Sequence, residues 1–201
     1  MKRRTLIYAV VTVIVLGGGY LLNPVNMWGL RRSKNAGDAS VGSHLEWKEI
    51  VCHEGGYRVQ MPGNPIQREE PAVAWPGVEI KVRSWKSEGS ELPALFLVFH
   101  FDAPIDPDDV EQVLDHMAKQ IASGKKGKLV AAKKLDFEGH PGREAVIEFT
   151  GPGGVSVQTC RFFLGKGRLY HASVVTSKEG AAAHYVANFL DSFRLIGKEG
   201  Q

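Results

Sequence analysis

The sequence predicts an α+β fold in which two helices pack on a large antiparallel β-sheet, preceded by one N-terminal transmembrane helix. Three observations support this prediction. An apolar run stands behind a basic N-terminus, short strand-like segments joined by Gly-rich turns fill most of the chain, and two segments carry apolar residues at helical spacing. Short turns make antiparallel neighbours, and an amphipathic helix must bury its apolar face against a sheet.

Residues 1–30 are predicted to be a membrane anchor with a basic flank. Three basic side chains at residues 2–4 precede an almost unbroken apolar run at residues 5–22. As a helix rising about 1.5 Å per residue, this run would cover roughly 27 Å, close to the ~30 Å of a bilayer core. The bulky residues after it lack the small-residue cleavage site of a secretory signal. We therefore expect an uncleaved anchor, with a cleaved signal as the alternative.

The charges beside the apolar run indicate the orientation of the anchor. Basic residues nearest the run favour a cytoplasmic N-terminus, although residues 31–34 add three more after it. We expect a single-pass protein of a bacterial inner membrane, with its domain on the extracytoplasmic side. Small and polar side chains make residues 31–44 a predicted flexible tether. Residues 45–197 are then the domain and residues 198–201 a tail.

The basic charge of the chain belongs to the membrane flank. The net charge is +3, but residues 1–44 hold six Lys and Arg and one Asp, which leaves 19 basic and 21 acidic side chains in the remainder. A nucleic-acid-binding domain is expected to carry its positive charge on the folded part, so we exclude that class of partner. One basic cluster remains, and it is interpreted as a solvated turn and strand edge: Lys125, Lys126, Lys128, Lys133 and Lys134.

The first half of the domain is predicted to contain five strands. Trp47–Cys52 opens it, and apolar and polar side chains alternate at residues 57–61 as in a half-buried strand. Residues 69–75 and 78–86 flank a Pro-Gly pair, which predicts a hairpin. Residues 95–101 are apolar on both parities, as is typical of a central strand covered on both faces.

The second half is predicted to contain two helices, one at its start and one close to its end. Asp106, followed by Pro107 and two carboxylates, predicts a capped helix start, and an apolar stripe follows until Gly124. Thr176 and Glu179 have capping-box spacing before a second stripe that includes Phe193. Between the helices we expect strands at residues 128–137, 143–150, 155–164 and 168–176, and residues 193–196 are a candidate last strand.

No motif in the chain predicts a catalytic, cofactor-binding or metal-binding residue, and no cofactor is expected. A nucleophile elbow and a P-loop are both absent from the sequence, and the seven histidines are scattered singly. The acidic group around Asp106 lacks the Gly and terminal Glu of a calcium loop. Glu144 and Glu148 could form an acid–base pair, but outward carboxylates on a solvated strand face are the preferred interpretation.

The two cysteines, Cys52 and Cys160, form a candidate disulfide. An even count permits a bond in an oxidising compartment, and both residues fall in predicted strands. Buried free thiols are the alternative, because small buried cysteines are common.

Four turn and strand motifs occur in an order that points to a family: EGGYRVQMPGNP at residues 54–65, GHPGRE at 139–144, RLY at 168–170 and FLDSFRL at 189–195. Together they resemble bacterial extracytoplasmic domains with a PsbP-like fold, over residues 45–197. The resemblance implies a PsbP-like α+β domain. Members of that fold include extrinsic photosystem subunits and small Ran-binding proteins, most of them known as binding or assembly modules. The resemblance therefore implies no catalytic motif for this chain.

The chain combines a predicted anchor and tether with a domain in which no catalytic motif is recognisable. This combination predicts a membrane-tethered, non-catalytic binding or scaffolding module. Its partners would be the membrane and an unknown protein. The alternative is an enzyme or small-ligand binder whose site is assembled from distant residues, for which His100, Arg161 and His171 are the candidates. A third hypothesis is a domain that chiefly stabilises a larger envelope assembly.

Overall fold

The computed structural model of the protein describes residues 46–75, 78–88, 92–103, 105–151 and 154–196. The predicted anchor, tether and tail lie outside these residues. Within the described part of the chain, no helix is long and apolar enough to cross a membrane. These residues form ten strands, two α-helices and two short 3-10 turns, which confirms the α+β class and the large antiparallel sheet with two helices.

Seven strands form the large sheet, in which all neighbours are antiparallel. Their bounds are β3 (Ile66–Trp75), β4 (Val78–Glu88), β5 (Ala94–Asp102), β6 (Lys128–Phe137), β7 (His140–Gly151), β8 (Gly154–Gly165) and β9 (Arg168–Ser177). Across the sheet they lie in the order β3-β4-β5-β9-β8-β7-β6, so that β9 is central and β5 lies beside it. The side chains of β5 are buried from its first residue to Phe101, which confirms a strand covered on both faces.

Three short strands form a second sheet that the sequence does not distinguish from the first. β1 (Trp47–Cys52) pairs with β2 (Tyr57–Pro62), and β2 also pairs with β10 (Arg194–Leu195). The predicted strands at both ends of the domain therefore exist, but they are not part of the seven-stranded sheet. Strand periodicity describes each segment by itself and carries no information about its pairing partner.

Tight turns connect the later strands. Lys166 and Gly167 form a two-residue turn with φ of 54° and 74°, the left-handed conformation that type I′ hairpins require. Glu138 and Gly139 form another, with φ of 52° and 81°. We predicted that the next strand begins at residue 143, but β7 begins at His140 because Gly139 already completes the turn.

The first helix, α1 (Val110–Gly124), covers one face of the large sheet. It begins after the 3-10 turn Pro107–Asp109, where Asp106 Oδ1 accepts a hydrogen bond from the Asp108 amide at 3.1 Å. The predicted cap and the predicted end at Gly124 are both confirmed. The helix residues buried against the sheet are Val113, Leu114, Met117, Ala118, Ile121 and Ala122.

The second helix, α2 (His184–Ser192), packs with the small sheet on the opposite face. The predicted capping box is wrong, because Thr176 belongs to β9 and its hydroxyl donates to the Pro93 carbonyl at 3.2 Å. A 3-10 turn, Glu179–Ala182, precedes the helix, and the Ser177 hydroxyl accepts from the Gly180 amide there. Phe193 follows the end of the helix, and its ring stacks on that of Tyr57 at a centroid distance of 5.1 Å.

Candidate functional site

The large sheet separates the residues that the sequence singles out. Side chains alternate across a strand, so neighbours in sequence face opposite layers. His100 on β5 lies on the α2 side with Phe96, and His171 on β9 lies on the α1 side against Phe99. Arg161 on β8 also faces α2, since its guanidinium reaches Asp191 of that helix. The three candidates are therefore not brought together into one site.

On the α2 side, His100 is buried beside three other polar or sulfur-containing side chains. We call this group the α2-side cluster: Cys52, Tyr57, His100 and Tyr170. His100 is 2% exposed, and its ring centroid lies 5.4 Å from that of Tyr57 and 6.2 Å from that of Tyr170. Neither ring nitrogen has a hydrogen-bond partner among the described residues. Burial raises the pKa of Tyr57, and the nearby Cys52 thiol adds to this shift.

A loop at residues 53–56 covers the α2-side cluster. The Tyr170 hydroxyl donates to the Gly55 carbonyl at 2.9 Å, and Arg168 donates to the Glu54 carbonyl at 2.6 Å. Arg83 forms an ion pair of 2.7 Å with the Glu54 carboxylate. Burial, together with the guanidinium charges of Arg168 and Arg83, lowers the pKa of His100 to about 4. His100 is thus a neutral, enclosed imidazole at pH 7.

On the other face, polar side chains lie beneath α1 in a group that we call the α1-side cluster: Lys125, Gln158, Cys160, His171 and Ser173. Cys160 and Ser173 are directly opposite each other on β8 and β9, and His171 is opposite Phe162. The His171 ring stacks on Phe99 at 4.5 Å. Burial lowers the pKa of His171 to about 3, with a further contribution from the Lys125 charge. This imidazole is also neutral at pH 7.

Lys125 is partly buried rather than fully solvated as predicted, whereas the other four lysines of the basic cluster are exposed. The Lys125 side chain folds back toward the sheet, and Nζ lies 4.4 Å from the centroid of the Phe149 ring, a cation–π contact. Burial lowers its pKa to about 8. The prediction fails because a lysine stem is apolar and can pack on a ring when the chain turns back after a helix.

Arg161 is occupied by a network of ion pairs. Its Nε donates to Glu144 at 2.7 Å and its Nη1 donates to Asp191 at 2.6 Å, while Lys133 also pairs with Glu144 at 2.8 Å. Burial raises the pKa of Glu144, but the hydrogen bonds from Lys133 and Arg161 outweigh it and the net shift is downward. Glu144 is therefore a half-buried structural carboxylate rather than an outward one. Its predicted neighbour on the strand face, Glu148, pairs separately with Lys178 at 3.1 Å.

The candidate disulfide between Cys52 and Cys160 is not formed. Both cysteines are buried and free. Cys52 packs in the cluster on the α2 side of the large sheet, whereas Cys160 packs in the cluster on the α1 side. Burial raises the pKa of Cys160 to about 12, which makes its thiol a poor nucleophile.

Sequence reasoning missed three members of the α1-side cluster as site residues: Lys125, Gln158 and Ser173. The alternation pattern could have indicated two of them, because Gln158 and Ser173 stand at inward-facing positions of strands whose other inward-facing residues are mostly apolar. Among the residues that the structure describes, no group of three or more His, Cys, Asp or Glu side chains could hold a metal ion.

Comparison with known proteins identifies the fold. No protein-family model matches the chain, and no curated protein is recognisably similar in sequence. The structure is similar to cyanobacterial PsbP (CyanoP) from Synechocystis sp. PCC 6803, with a TM-score of 0.54 and 13% identity over 80% of this chain and 98% of that one. LpqN of Mycobacterium tuberculosis, involved in cell envelope biogenesis, is 9% identical over 77% and 92% of the two chains, with a TM-score of 0.44. The predicted PsbP-like fold is confirmed, and at this identity the likeness concerns fold alone.

Proposed function

We propose that this chain is a non-catalytic binding or scaffolding module, tethered to a bacterial inner membrane with its domain on the extracytoplasmic side. The observation that carries the proposal is the separation of the candidate reactive side chains. His100 and His171 are each 2% exposed and lie on opposite faces of the sheet, and Arg161 is held in ion pairs. Acid–base or nucleophilic catalysis needs such groups to converge on one reacting atom.

The sequence of the first 44 residues supports the proposed location. A basic flank, an apolar run long enough to span a bilayer and a polar tether are the parts of a signal anchor. The domain has its own core on both faces of the large sheet, so it needs no membrane contact to fold. These features favour a folded module displayed at a membrane surface.

A fractionation experiment tests the location. The full chain, with a tag at its C-terminus, is expressed in a bacterium beside a matched variant that lacks residues 5–22. We expect the full chain to stay in carbonate-washed membranes and to be digested by protease added to spheroplasts, whereas the variant becomes soluble. Recovery of the intact full chain in the soluble fraction would contradict the proposal.

Site-specific photo-crosslinking in membranes tests the binding function. A photoreactive residue replaces, one at a time, the exposed apolar side chains Val51, Ile66, Val130 and Val155. A scaffold is expected to give one dominant protein adduct, confined to positions on one surface. Equal labelling of abundant proteins from every position would contradict a specific partner.

A further inference from the structure

The loop at residues 53–56 covers the edge of the His100 ring that carries both nitrogens. A Cβ built on Gly55 would lie 2.8 Å from His100 Cε1, the ring atom that stands between Nδ1 and Nε2. His100 is 2% exposed, and neither nitrogen has a hydrogen-bond partner among the described residues. Folded proteins satisfy nearly all of their buried polar groups with protein or water. Water would reach both His100 nitrogens if the loop lifted.

Side-chain bonds hold the loop closed. The Tyr170 hydroxyl donates to the Gly55 carbonyl. The Arg168 guanidinium donates to the Glu54 carbonyl, and Arg83 forms an ion pair with the Glu54 carboxylate, whose side chain is 61% exposed. Ion pairs with an exposed partner contribute little to stability, and loops held by a few such bonds open locally while the core stays folded. Lifting this loop would therefore cost less than unfolding the domain.

The surroundings of His100 oppose a positive charge on its ring. The titratable and charged side chains around it are Cys52, His53, Glu54, Tyr57, Arg83, Asp102, Arg168 and Tyr170, with Glu69 beyond Arg83. Each carboxylate among them is already paired with a guanidinium: Glu54 and Glu69 with Arg83, at 2.7 Å each, and Asp102 with Arg168, at 2.8 Å. Burial is the larger cause of the lowered pKa of His100, and the two guanidinium charges add to it. A proton on His100 would thus lack an acceptor as long as the loop is closed.

We propose that the loop at residues 53–56 is a pH-sensitive lid, which opens when His100 takes up a proton. Opening gives water to the two N–H groups of the charged ring. The pKa of His100 is about 4 under the closed loop and about 6.5 in water, so the closed form is fully favoured above pH 6.5 and loses this advantage as the pH falls toward 4. The open population should therefore be roughly 30-fold larger at pH 5 than at pH 8. The lid is independent of the membrane tether and of any protein partner.

Thiol labelling of Cys52 tests the lid. Cys52 is 7% exposed and accepts a hydrogen bond from the Gly55 amide at 3.3 Å, whereas Cys160 is 0% exposed on the other face of the sheet and reports global unfolding. The full chain in detergent is labelled with a dipyridyl disulfide, which also reacts in acid, and each rate is divided by that of the denatured chain at the same pH. From pH 8 to pH 5 the corrected rate should rise roughly 30-fold at Cys52 and stay unchanged at Cys160. A constant rate at Cys52, or a rise shared by Cys160, would overturn the proposal.

Two variants assign the effect to His100. His100→Met fills the space with an adaptable uncharged side chain, so the corrected labelling rate of Cys52 should be the same at pH 5 and pH 8. His53→Gln is the matched control, because His53 is exposed in the same loop and its removal should leave the rise intact. If His100→Met fails to fold, hydrogen exchange of the native chain decides: protection of the Gly56 amide, which donates to the Cys52 carbonyl at 2.8 Å, should fall by the same factor while that of amides at the centre of β9 stays constant. A rise that persists in His100→Met, or constant protection at Gly56, would refute the lid.

Discussion

Replacing Gly55 by alanine is the sharpest test of how the loop at residues 53–56 seals the α2-side cluster. A Cβ at Gly55 would lie 2.5 Å from Tyr57 Cε1 and 2.8 Å from His100 Cε1. An ordinary contact begins at 3.4 Å, so the Tyr57 ring would have to move away by 0.9 Å. That ring is fully buried and packs on Phe193, and the loop is held in turn by Tyr170. Neither the Tyr57 ring nor the loop at residues 53–56 can move without disturbing the packing of the α2-side cluster.

The expected cost of Gly55→Ala follows from this overpacking. Extra methyl groups in a filled core typically cost about 1–3 kcal/mol, and about 2 kcal/mol would lower the melting temperature of a domain of this size by roughly 4–8 °C. Urea unfolding of the full chain in detergent, followed by tryptophan fluorescence, measures the free energy directly. Gly124→Ala is the matched control, because Gly124 is the exposed last residue of α1 and alanine favours a helix there.

A double-mutant cycle identifies the Tyr57 ring as the cause. In a Tyr57→Leu background the smaller side chain leaves room for the new methyl group, so that Gly55→Ala should cost about 1 kcal/mol less than in the native background. The reasoning is refuted if Gly55→Ala changes the free energy of unfolding by less than about 0.5 kcal/mol, the range of neutral surface substitutions. It is also refuted if the cost is equal in the two backgrounds.

Three further predictions concern the ion pairs, the loop and the thiols. Hydrogen bonds from Lys133 and Arg161 hold the pKa of Glu144 below its usual value, so its stabilisation is fully present above the unfolded-state pKa of about 4.3 and is lost as the pH falls through the lower folded-state pKa. In pH-dependent urea unfolding, Glu144→Gln should therefore cost about 1–2 kcal/mol at pH 7 and progressively less as the pH falls through that range. Tyr170→Phe should cost about 1 kcal/mol and speed amide hydrogen exchange at residues 53–56, while unchanged exchange would contradict the bond to Gly55. Cys52 and Cys160 should resist a thiol reagent in the native protein, and both should react in denaturant without reductant. A mass lower by two hydrogen atoms before reduction would instead reveal a disulfide.

Local physical chemistry fixed those features that depend on neighbours in sequence. The Asp106 cap and the end of α1 at Gly124 were predicted because capping and helix termination involve one turn of chain. β6 was predicted with its observed bounds. β5 was predicted as a strand covered on both faces, because apolar residues at successive positions indicate that both faces are buried. The capping box at Thr176 failed where a tertiary bond to Pro93 competed for the same hydroxyl.

The sequence by itself determined the class of fold, the order of its strands and helices, and the presence of an apolar N-terminal run, because periodicity, turn residues and caps act over a few residues. Tertiary structure alone decided which strands share a sheet and on which side of that sheet each polar residue lies. It placed Cys52 and Cys160 on opposite faces, laid the Lys125 side chain over the Phe149 ring, and set Gln158, His171 and Ser173 on the side of the sheet that α1 covers. The physical reason is that pairing and layer packing join residues distant in the chain, and their energies depend on neighbours that no local pattern specifies.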